Sequence, residues 1–462
     1  MIRILNTYFP ARTVILGVSE AVLVTLAFVV AMVANVGLLN ASIELNYEQG
    51  AVKIALIGGA FLVCMYYFDL YDSMVISNGR EVFIRLIQAL GALCLIFAGI
   101  YYIFPHLRVE GMVFVTGTVL LGVELACWRR LFLYINSIER LAERCLILGD
   151  GPLASAIVAE LAQRPELGIR VAAHISEDQQ LLQGKNAAAA CGEEISRVVE
   201  QQKITRIIVC MRERRGNLPV EALLRLKTQG VRIQDGIDVY EAVTGKIALE
   251  SLQLSWLLFS PGFQVSRPLL TYKRLSSMIG ACIGLLLTLP LMGIIAIAIR
   301  LDSPGPMIFR QKRVGKDGRI FTLYKFRSMF DGADANGKTA PAEKNDKRVT
   351  RVGRWLRSTR LDEIPQLYNI FRGDMYFVGP RPFVPDQEED CARQIPFYNQ
   401  RWSVKPGATG WAQVNRDYCA TLADNAEKLA YDLFYIRNVS IGLDLLILFK
   451  TAKILLLGRG GR

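Results

Sequence analysis

Residues 272–300 read YKRLSSMIGACIGLLLTLPLMGIIAIAIR, and how this stretch meets a bilayer decides the architecture of the chain. From Met278 to Ile299 it carries no charge, and about 20 such residues cross about 30 Å of hydrocarbon as a helix. Cations stand on both sides: Lys273 and Arg274 before the run, and Arg300, Arg310, Lys312 and Arg313 after it. Lys and Arg accumulate on cytoplasmic flanks, so a full crossing would export one basic flank against that rule. Pro290, near the middle, lacks an N–H and clashes with the preceding turn, which can break a helix and turn the chain back. The sequence therefore predicts a re-entrant helix over 272–300 that enters and leaves on one face, with an ordinary span as the alternative.

Four more apolar stretches lie upstream, at about Val14–Val36, Ala51–Leu70, Val82–Phe104 and Val113–Leu133. Each approaches the length of a membrane span, and no cleavage site marks the first as a signal peptide. Arg3 and Arg12 precede the first span, Arg80 and Arg85 stand on the second loop, and Arg129, Arg130, Arg140 and Arg144 follow the fourth. The cation bias puts both ends of this bundle in the cytoplasm. Glu20 and Glu124 fall inside spans, where a carboxylate is either functional or paired between helices. The whole chain agrees: 52% of its 462 residues are hydrophobic and only 21% charged, a balance on the membrane side of the globular range. The net charge of +12 suits an anionic partner, either a lipid surface or a phosphate-bearing substrate. Nucleic acid is the weakest choice of partner, because the cations adjoin membrane segments and lack interleaved aromatic platforms. The nine cysteines include no CxxC pair, so neither a zinc site nor a disulfide framework is indicated.

Between the bundle and residue 260 the pattern alternates. Strand-like runs at 144–148, 169–175, 206–210 and 231–234 are separated by helix-like segments, which implies a parallel, Rossmann-like sheet. The first strand enters a helix through Gly149-Asp-Gly151-Pro-Leu-Ala154, a glycine pattern that can let a backbone approach a pyrophosphate. Gly149 and Gly151 are weak cofactor-binding candidates. Pro152 removes one amide from the loop and no acidic residue closes the strand near His174, so a structural or regulatory module is the favoured reading over dinucleotide binding.

The residues able to do chemistry cluster in the last third. Gln311-Lys-Arg-Val-Gly-Lys316 is followed by Leu323-Tyr-Lys-Phe-Arg-Ser-Met329. Arg351, Arg354, Arg357 and Arg360 lead into Leu361-Asp-Glu-Ile-Pro-Gln366. Arg372-Gly-Asp374, Val378-Gly-Pro-Arg-Pro382 and Lys405-Pro-Gly-Ala-Thr-Gly-Trp411 complete the set. Cations and glycines thus surround one adjacent carboxylate pair. Pro365 suits the first turn of a short helix, placing Asp362 and Glu363 at or just before its N-terminus, where free amides and a positive partial charge favour phosphate. A carboxylate held among arginines stays ionised, so Asp362 is a candidate nucleophile at phosphorus and Glu363 a candidate Mg²⁺ ligand. Lys325, Arg327, Arg354, Arg357, Arg360 and Arg381 are the candidate substrate-binding cations, able to offset phosphoryl charge. Piece by piece the bland readings stand: Asp-Glu as a helix cap, and the arginines as a solvated face or a grip on anionic lipid heads. Both histidines, His106 and His174, lie upstream, so histidine acid/base chemistry is not indicated.

Together these motifs change that balance. From about Tyr272 to Leu457 the chain closely resembles the catalytic domain of the monotopic polyprenyl-phosphate phosphoglycosyl transferases, the bacterial sugar transferases that initiate exopolysaccharide and O-antigen synthesis. The resemblance rests on Lys273-Arg274, Asp302-Ser-Pro-Gly-Pro306, Lys325-Phe-Arg-Ser-Met329, Leu361-Asp-Glu-Ile-Pro-Gln-Leu367, Gly373-Asp-Met375, Val378-Gly-Pro-Arg-Pro382 and Lys405-Pro-Gly-Ala-Thr-Gly-Trp411, in that order. Four spans and a Rossmann-like module ahead of the catalytic unit resemble the long members of the family. The resemblance implies that Asp362 takes a sugar phosphate from a UDP-sugar and releases UMP. Polyprenyl phosphate then attacks the covalent intermediate. It also implies that Glu363 associates with Mg²⁺ and that Arg381 belongs to the motif holding the nucleotide sugar. Ser277, Leu289 and Tyr376 depart from residues common among relatives, at aspartate, serine and serine respectively; the first two bear on the hairpin, and none touches the Asp-Glu pair.

The expected architecture is a multidomain membrane protein: a four-helix transmembrane bundle over 1–140, an α/β Rossmann-like domain over 141–260, and an α/β monotopic catalytic domain over 261–462. The segment Ile441–Leu457, interrupted by Asp444, Lys450 and Lys453, reads as a helix lying in the interface. The expected site is the inner membrane of a bacterium with the catalytic domain facing the cytoplasm, and a homodimer through the N-terminal units is compatible with the sequence. Two rivals remain at this stage. A membrane-bound nucleotide-sugar dehydratase or epimerase would need a second glycine-rich loop and a Tyr-x-x-x-Lys pair, neither of which follows residue 260. A non-catalytic scaffold is opposed only by the intact Asp362-Glu363 pair.

Overall fold

The computed structural model describes residues 1–4, 6–47, 49–72, 75, 79–137, 142–176, 187–211, 218–252, 260, 262–333, 346–416 and 421–457. Two compact units emerge, Met1–Ile2 with Phe9–Gly236, and Arg3–Tyr8 with Ile237–Arg462. A two-stranded ribbon, β1 (Ile2–Ile4) and β2 (Thr7–Phe9), opens the chain.

In the first unit the apolar runs become helices α1 (Ala11–Val36), α2 (Leu38–Tyr47), α3 (Gly50–Tyr67), α4 (Gly79–Ile103) and α5 (Gly111–Ser137). Only α2 is too short to span; the other four are long and apolar enough to cross a membrane. Along α1 the buried positions Leu16, Glu20, Val24, Ala27, Phe28, Ala31 and Met32 recur every three or four residues, the seam of a packed helix. Val24, Ala27, Phe28, Ala31 and Met32 of this seam meet Ile57, Phe61, Leu93, Leu121 and Leu125 in one core. On the outer face Val18, Val22, Val30, Leu95 and Val119 stay more than half or about half exposed, as helices bathed in lipid require. Glu20 resolves as the paired alternative. It is fully buried, accepts from Arg129 Nε at 2.8 Å and from the Tyr71 hydroxyl at 2.7 Å, while Arg129 Nη1 donates to the Leu70 carbonyl at 2.9 Å.

The same unit holds the parallel sheet. Strands β3 (Glu143–Leu148), β4 (Ile169–Ile175), β5 (Arg206–Val209) and β6 (Arg232–Asp235) lie in the order β4-β3-β5-β6, with Leu148 in register with Ile175 on one side and Val209 on the other. Helices α6 (Pro152–Gln163), α7 (Ala187–Gln202) and α8 (Val220–Thr228) connect them. Central strand β5 is buried at every position, as helices on both faces demand. The predicted alternation of strand and helix is thus the observed one.

The second unit begins with α9 (Gly236–Thr244) and contains α10 (Arg267–Asp302), a helix of 36 residues. Here the structure departs from the predicted break: helical backbone continues through Pro290. Proline deletes one donor and crowds one carbonyl, costs that a bend inside a continuous helix can absorb. Residues on both sides of Pro290 pack within this unit. Ala281 joins Leu323, Ile370 and Met375; Ile295 and Ile299 join Phe326 and Leu356. Between them Leu286, Leu287 and Leu289 project uncovered, each more than 60% exposed.

The antiparallel pair β7 (Ile308–Val314) and β8 (Ile320–Phe326) follows, then α11 (Arg351–Thr359), α12 (Gln366–Arg372), β9 (Tyr376–Val378) and α13 (Pro385–Gln394). Strand β10 (Gly407–Thr409) pairs parallel with β9, and α14 (Trp411–Asn415), α15 (Leu422–Arg437) and α16 (Ile441–Leu456) complete the unit. Helix α15 is its hub: Leu429, Leu433, Phe434, Tyr435 and Ile436 are all buried, and Thr421 and Asp424 close a reciprocal cap at its start. Helix α16 buries Leu443 and Ile447 while Leu445, Leu455 and Leu456 stay exposed, an amphipathic helix that is not among the five long enough to span.

Candidate active site

Helix α11 carries Arg351, Arg354 and Arg357 and ends at Arg360, whose φ of +57° is left-handed. That residue reverses the chain into a single 3₁₀ turn, Leu361–Glu363, before Pro365 caps α12. The carboxylate pair therefore sits just ahead of the short helix, as the proline predicted. Asp362 is buried at 9% exposure, whereas Glu363 is half-buried and clamped. Its Oε1 accepts from Lys325 Nζ at 2.8 Å and from Arg381 Nη2 at 3.2 Å.

Two packing devices bring those cations there. Asn369, fully buried on α12, accepts from the Tyr324 amide at 3.0 Å and donates to the Thr322 carbonyl at 2.7 Å, so β8 and its Lys325 are locked against the turn. Arg401, buried at 4% exposure, donates to the Arg381 carbonyl at 2.9 Å and thereby fixes the loop that presents Arg381. Its remaining hydrogen bonds go to Glu388 at 2.9 Å, Asp432 at 2.9 Å and the Tyr398 hydroxyl at 2.7 Å. Neither Asn369 nor Arg401 stands out in the sequence; an arginine followed 31 residues later by an aspartate carries no local signal.

The two carboxylates have opposite electrostatics. Burial alone would raise Glu363, but Lys325, Arg381 and Arg360 outweigh it and hold the carboxyl well below the usual range. For Asp362 burial wins: loss of solvent, helped by the neighbouring Glu363 charge, raises its pKa despite Lys325, Arg357 and Arg381. The cations thus dominate at Glu363, as the sequence suggested, whereas at Asp362 burial outweighs them in direction. The reason is depth, which neighbouring residue types do not encode.

Among the candidate cations, Lys325 and Arg381 touch Glu363, while Arg357 and Arg360 act through charge on Asp362 and Glu363 respectively. Arg354 is exposed on α11, with no contact to either carboxylate among the described interactions. Arg327 goes elsewhere. Its buried guanidinium donates through Nη2 to the Ser303 carbonyl at 2.6 Å and hydroxyl at 2.8 Å, bracing the loop where α10 ends. In the first unit, Gly149 and Gly151 both hold φ near +100°, and a side chain on Gly149 would meet the Met211 amide at 2.7 Å. Asp150 between them turns back to Ser176 and to His174, 3.2 Å away. These contacts explain the glycines by the tightness of the strand–helix turn.

No group of three or more His, Cys, Asp or Glu side chains converges among the described residues. A Mg²⁺ site here would be completed by substrate oxygens and water, the usual habit of this ion. Glu363 fits as a protein ligand on donor chemistry, since both of its cationic contacts fall on Oε1.

Comparison with known proteins bears on this arrangement. Residues 269–458 match the family model of bacterial sugar transferases, and residues 66–234 match that of a CoA-binding domain. A UDP-N-acetylgalactosamine-undecaprenyl-phosphate N-acetylgalactosaminephosphotransferase of Aeromonas hydrophila is 42% identical over 227 residues, covering 48% of this chain and 52% of the relative. A UDP-glucose:undecaprenyl-phosphate glucose-1-phosphate transferase of Klebsiella pneumoniae is 45% identical over 184 residues, 39% of each chain. The chain thus spans about half the length, or less, of these two relatives. It covers 94% of the exopolysaccharide production protein PSS of Rhizobium leguminosarum bv. phaseoli, at 39% identity over 188 residues. With the matched region enclosing the Asp362–Glu363 turn, both of its cations and the long apolar helix, this chain belongs to the bacterial sugar transferase family.

Proposed function

We propose that this chain transfers a hexose-1-phosphate from a UDP-sugar to a polyprenyl phosphate, undecaprenyl phosphate in a bacterium, and so initiates exopolysaccharide or O-antigen synthesis. The observation that carries the reading is the asymmetric pair: a buried Asp362 beside a Glu363 pinned by Lys325 and Arg381. An Asp362 oxygen attacks the sugar-bearing phosphorus. The bond from that phosphorus to the bridging oxygen breaks, and UMP leaves with the electron pair. A phosphate oxygen of the lipid then attacks the same phosphorus, the aspartyl–phosphorus bond breaks, and the carboxylate returns free with polyprenyl-diphosphate-sugar as product. Burial strips water from Asp362 and makes its ionised form more reactive. Arg357 and Arg381, whose charges reach Asp362, would balance charge on the phosphoryl oxygens. Glu363, joined by diphosphate oxygens, would hold Mg²⁺, which neutralises phosphate charge when bound.

The membrane reading is that α10 is re-entrant, with the catalytic unit on the cytoplasmic face of the inner membrane. Its support is that Ala281, near the start of the uncharged run, and Ile299, at its end, pack on the same unit while Leu286, Leu287 and Leu289 between them project. Cations at both ends agree with one cytoplasmic side.

The test is UMP release from a panel of UDP-sugars by purified protein with Mg²⁺ and undecaprenyl phosphate, beside Asp362→Asn. Release that requires one sugar and the lipid, and vanishes in the variant, is expected. No release from any sugar, in bilayers as well as detergent, overturns the reading in favour of a scaffold.

A further inference from the structure

Resting on the transfer reaction above, the structure carries an inference about where the acceptor's hydrocarbon lies. Between the C-terminal half of α10 and α11 runs an open groove of about 370 Å³. Leu291, Ile294 and Ala298 form one wall, Val352 and Trp355 the other, and Arg351 stands as the charged residue of its lining. The indole of Trp355 is 53% exposed, and Ile294 is 65% exposed. Apolar surface of this kind is costly in water. Here it belongs to a helix long and apolar enough to enter a membrane, and the re-entrant reading above would turn the groove toward lipid.

Its floor ties it to the chemistry. Ile295 and Leu356, at the base, belong to one packed cluster with Leu361 and Ile364, the residues that bracket Asp362 and Glu363. Along α11 the cations run in order from groove to site: Arg351 at the lining, Arg354 exposed, then Arg357, whose charge acts on Asp362. From Arg351 to Arg357 is about 9 Å at 1.5 Å per residue.

We propose that this groove seats the first isoprene units of polyprenyl phosphate, with the arginines of α11 guiding its phosphate to Asp362. Charge and shape point to this occupant. An apolar slot beside a row of cations ending at the nucleophile matches a lipid with one chain and one terminal phosphate. A two-chain phospholipid would leave its second chain outside a single slot.

The experiment uses the full chain in vesicles of phosphatidylethanolamine and phosphatidylglycerol with a polyprenyl phosphate bearing a diazirine in its first isoprene units. Adducts on residues 291–298 and 352–355 are expected, lost on competition with unlabelled polyprenyl phosphate and retained under a tenfold excess of dioleoyl phosphatidate. Adducts confined to other segments, or competed equally by phosphatidate, overturn the assignment. A kinetic arm compares Ala298→Trp, which fills the slot, with Leu287→Trp on the uncovered face. The ratio of lipid-dependent turnover to lipid-independent labelling of the protein by UDP-sugar should fall at least tenfold only in the former; equal ratios overturn the proposal. Wild-type protein that photolabels in the groove but releases no UMP would overturn the proposed reaction and leave the groove assigned.

Discussion

At the scale of single residues, the opposed fates of Asp362 and Glu363 make separable predictions. Asp362→Asn should abolish turnover; residual activity within about tenfold of wild type, under about 1.4 kcal/mol of barrier, would remove it as nucleophile. The same variant should not lower thermal stability at neutral pH. A carboxyl whose pKa is raised by folding favours the native state only while protonated, and that contribution is lost as pH rises through its folded pKa. At neutral pH the native Asp362 charge therefore costs stability, and the neutral amide should hold or raise Tm, with the difference fading in acid. The rate of enzyme labelling by UDP-sugar should fall as pH drops through the raised Asp362 pKa, above the ordinary aspartate value of about 3.9; an acid limb at or below that value would refute its burial. Glu363 has the opposite sign. Its depressed pKa contributes stability above the unfolded value, lost as pH falls. Glu363→Gln should thus lower Tm at neutral pH and weaken the response to Mg²⁺, and an unchanged metal titration would end its assignment as a ligand.

Among elements, the site depends on how β8, α12 and the Arg381 loop are held together. Arg401 is the strongest test, since it compensates two carboxylates that are each 3% exposed and also holds the Arg381 carbonyl. Removing one partner of such a buried network costs about 3–5 kcal/mol. Arg401→Ala should show that loss in chemical denaturation, and a change below about 1 kcal/mol would mean that Arg401 does not compensate the two buried carboxylates. Much of the element pattern was legible beforehand. Spans and parallel strands declare themselves through runs and alternation over 5 to 20 residues, distances at which the chain's own periodicity operates. Continuity through Pro290 was not legible, because proline's local cost is the same whether the helix breaks or bends. Contacts made by Ala281 and Ile299 with distant elements hold both halves.

Over the whole molecule, the bundle and long apolar helix lead to a topological prediction. Single cysteines at Thr271 and Leu301, both exposed at the flanks of α10, introduced after replacing the native cysteines, should react with an impermeant reagent from the cytoplasmic side alone. Labelling of the two from opposite sides would make α10 an ordinary span and remove the re-entrant reading.

The sequence by itself determined the apolar helices, the parallel order of strand and helix, and the position of the Asp362–Glu363 pair before a short helix. Each of these depends on residues close in the chain. Tertiary structure alone decided which cations reach the pair: Lys325, 38 residues upstream of Glu363, and Arg381, 18 downstream, are in contact, whereas Arg327 is turned to Ser303. It also decided that Asp362 is buried deeply enough for desolvation to outweigh three cations. Residue type sets what a side chain can do, but dielectric depth and partner choice arise from packing between segments distant in sequence, which no local pattern records.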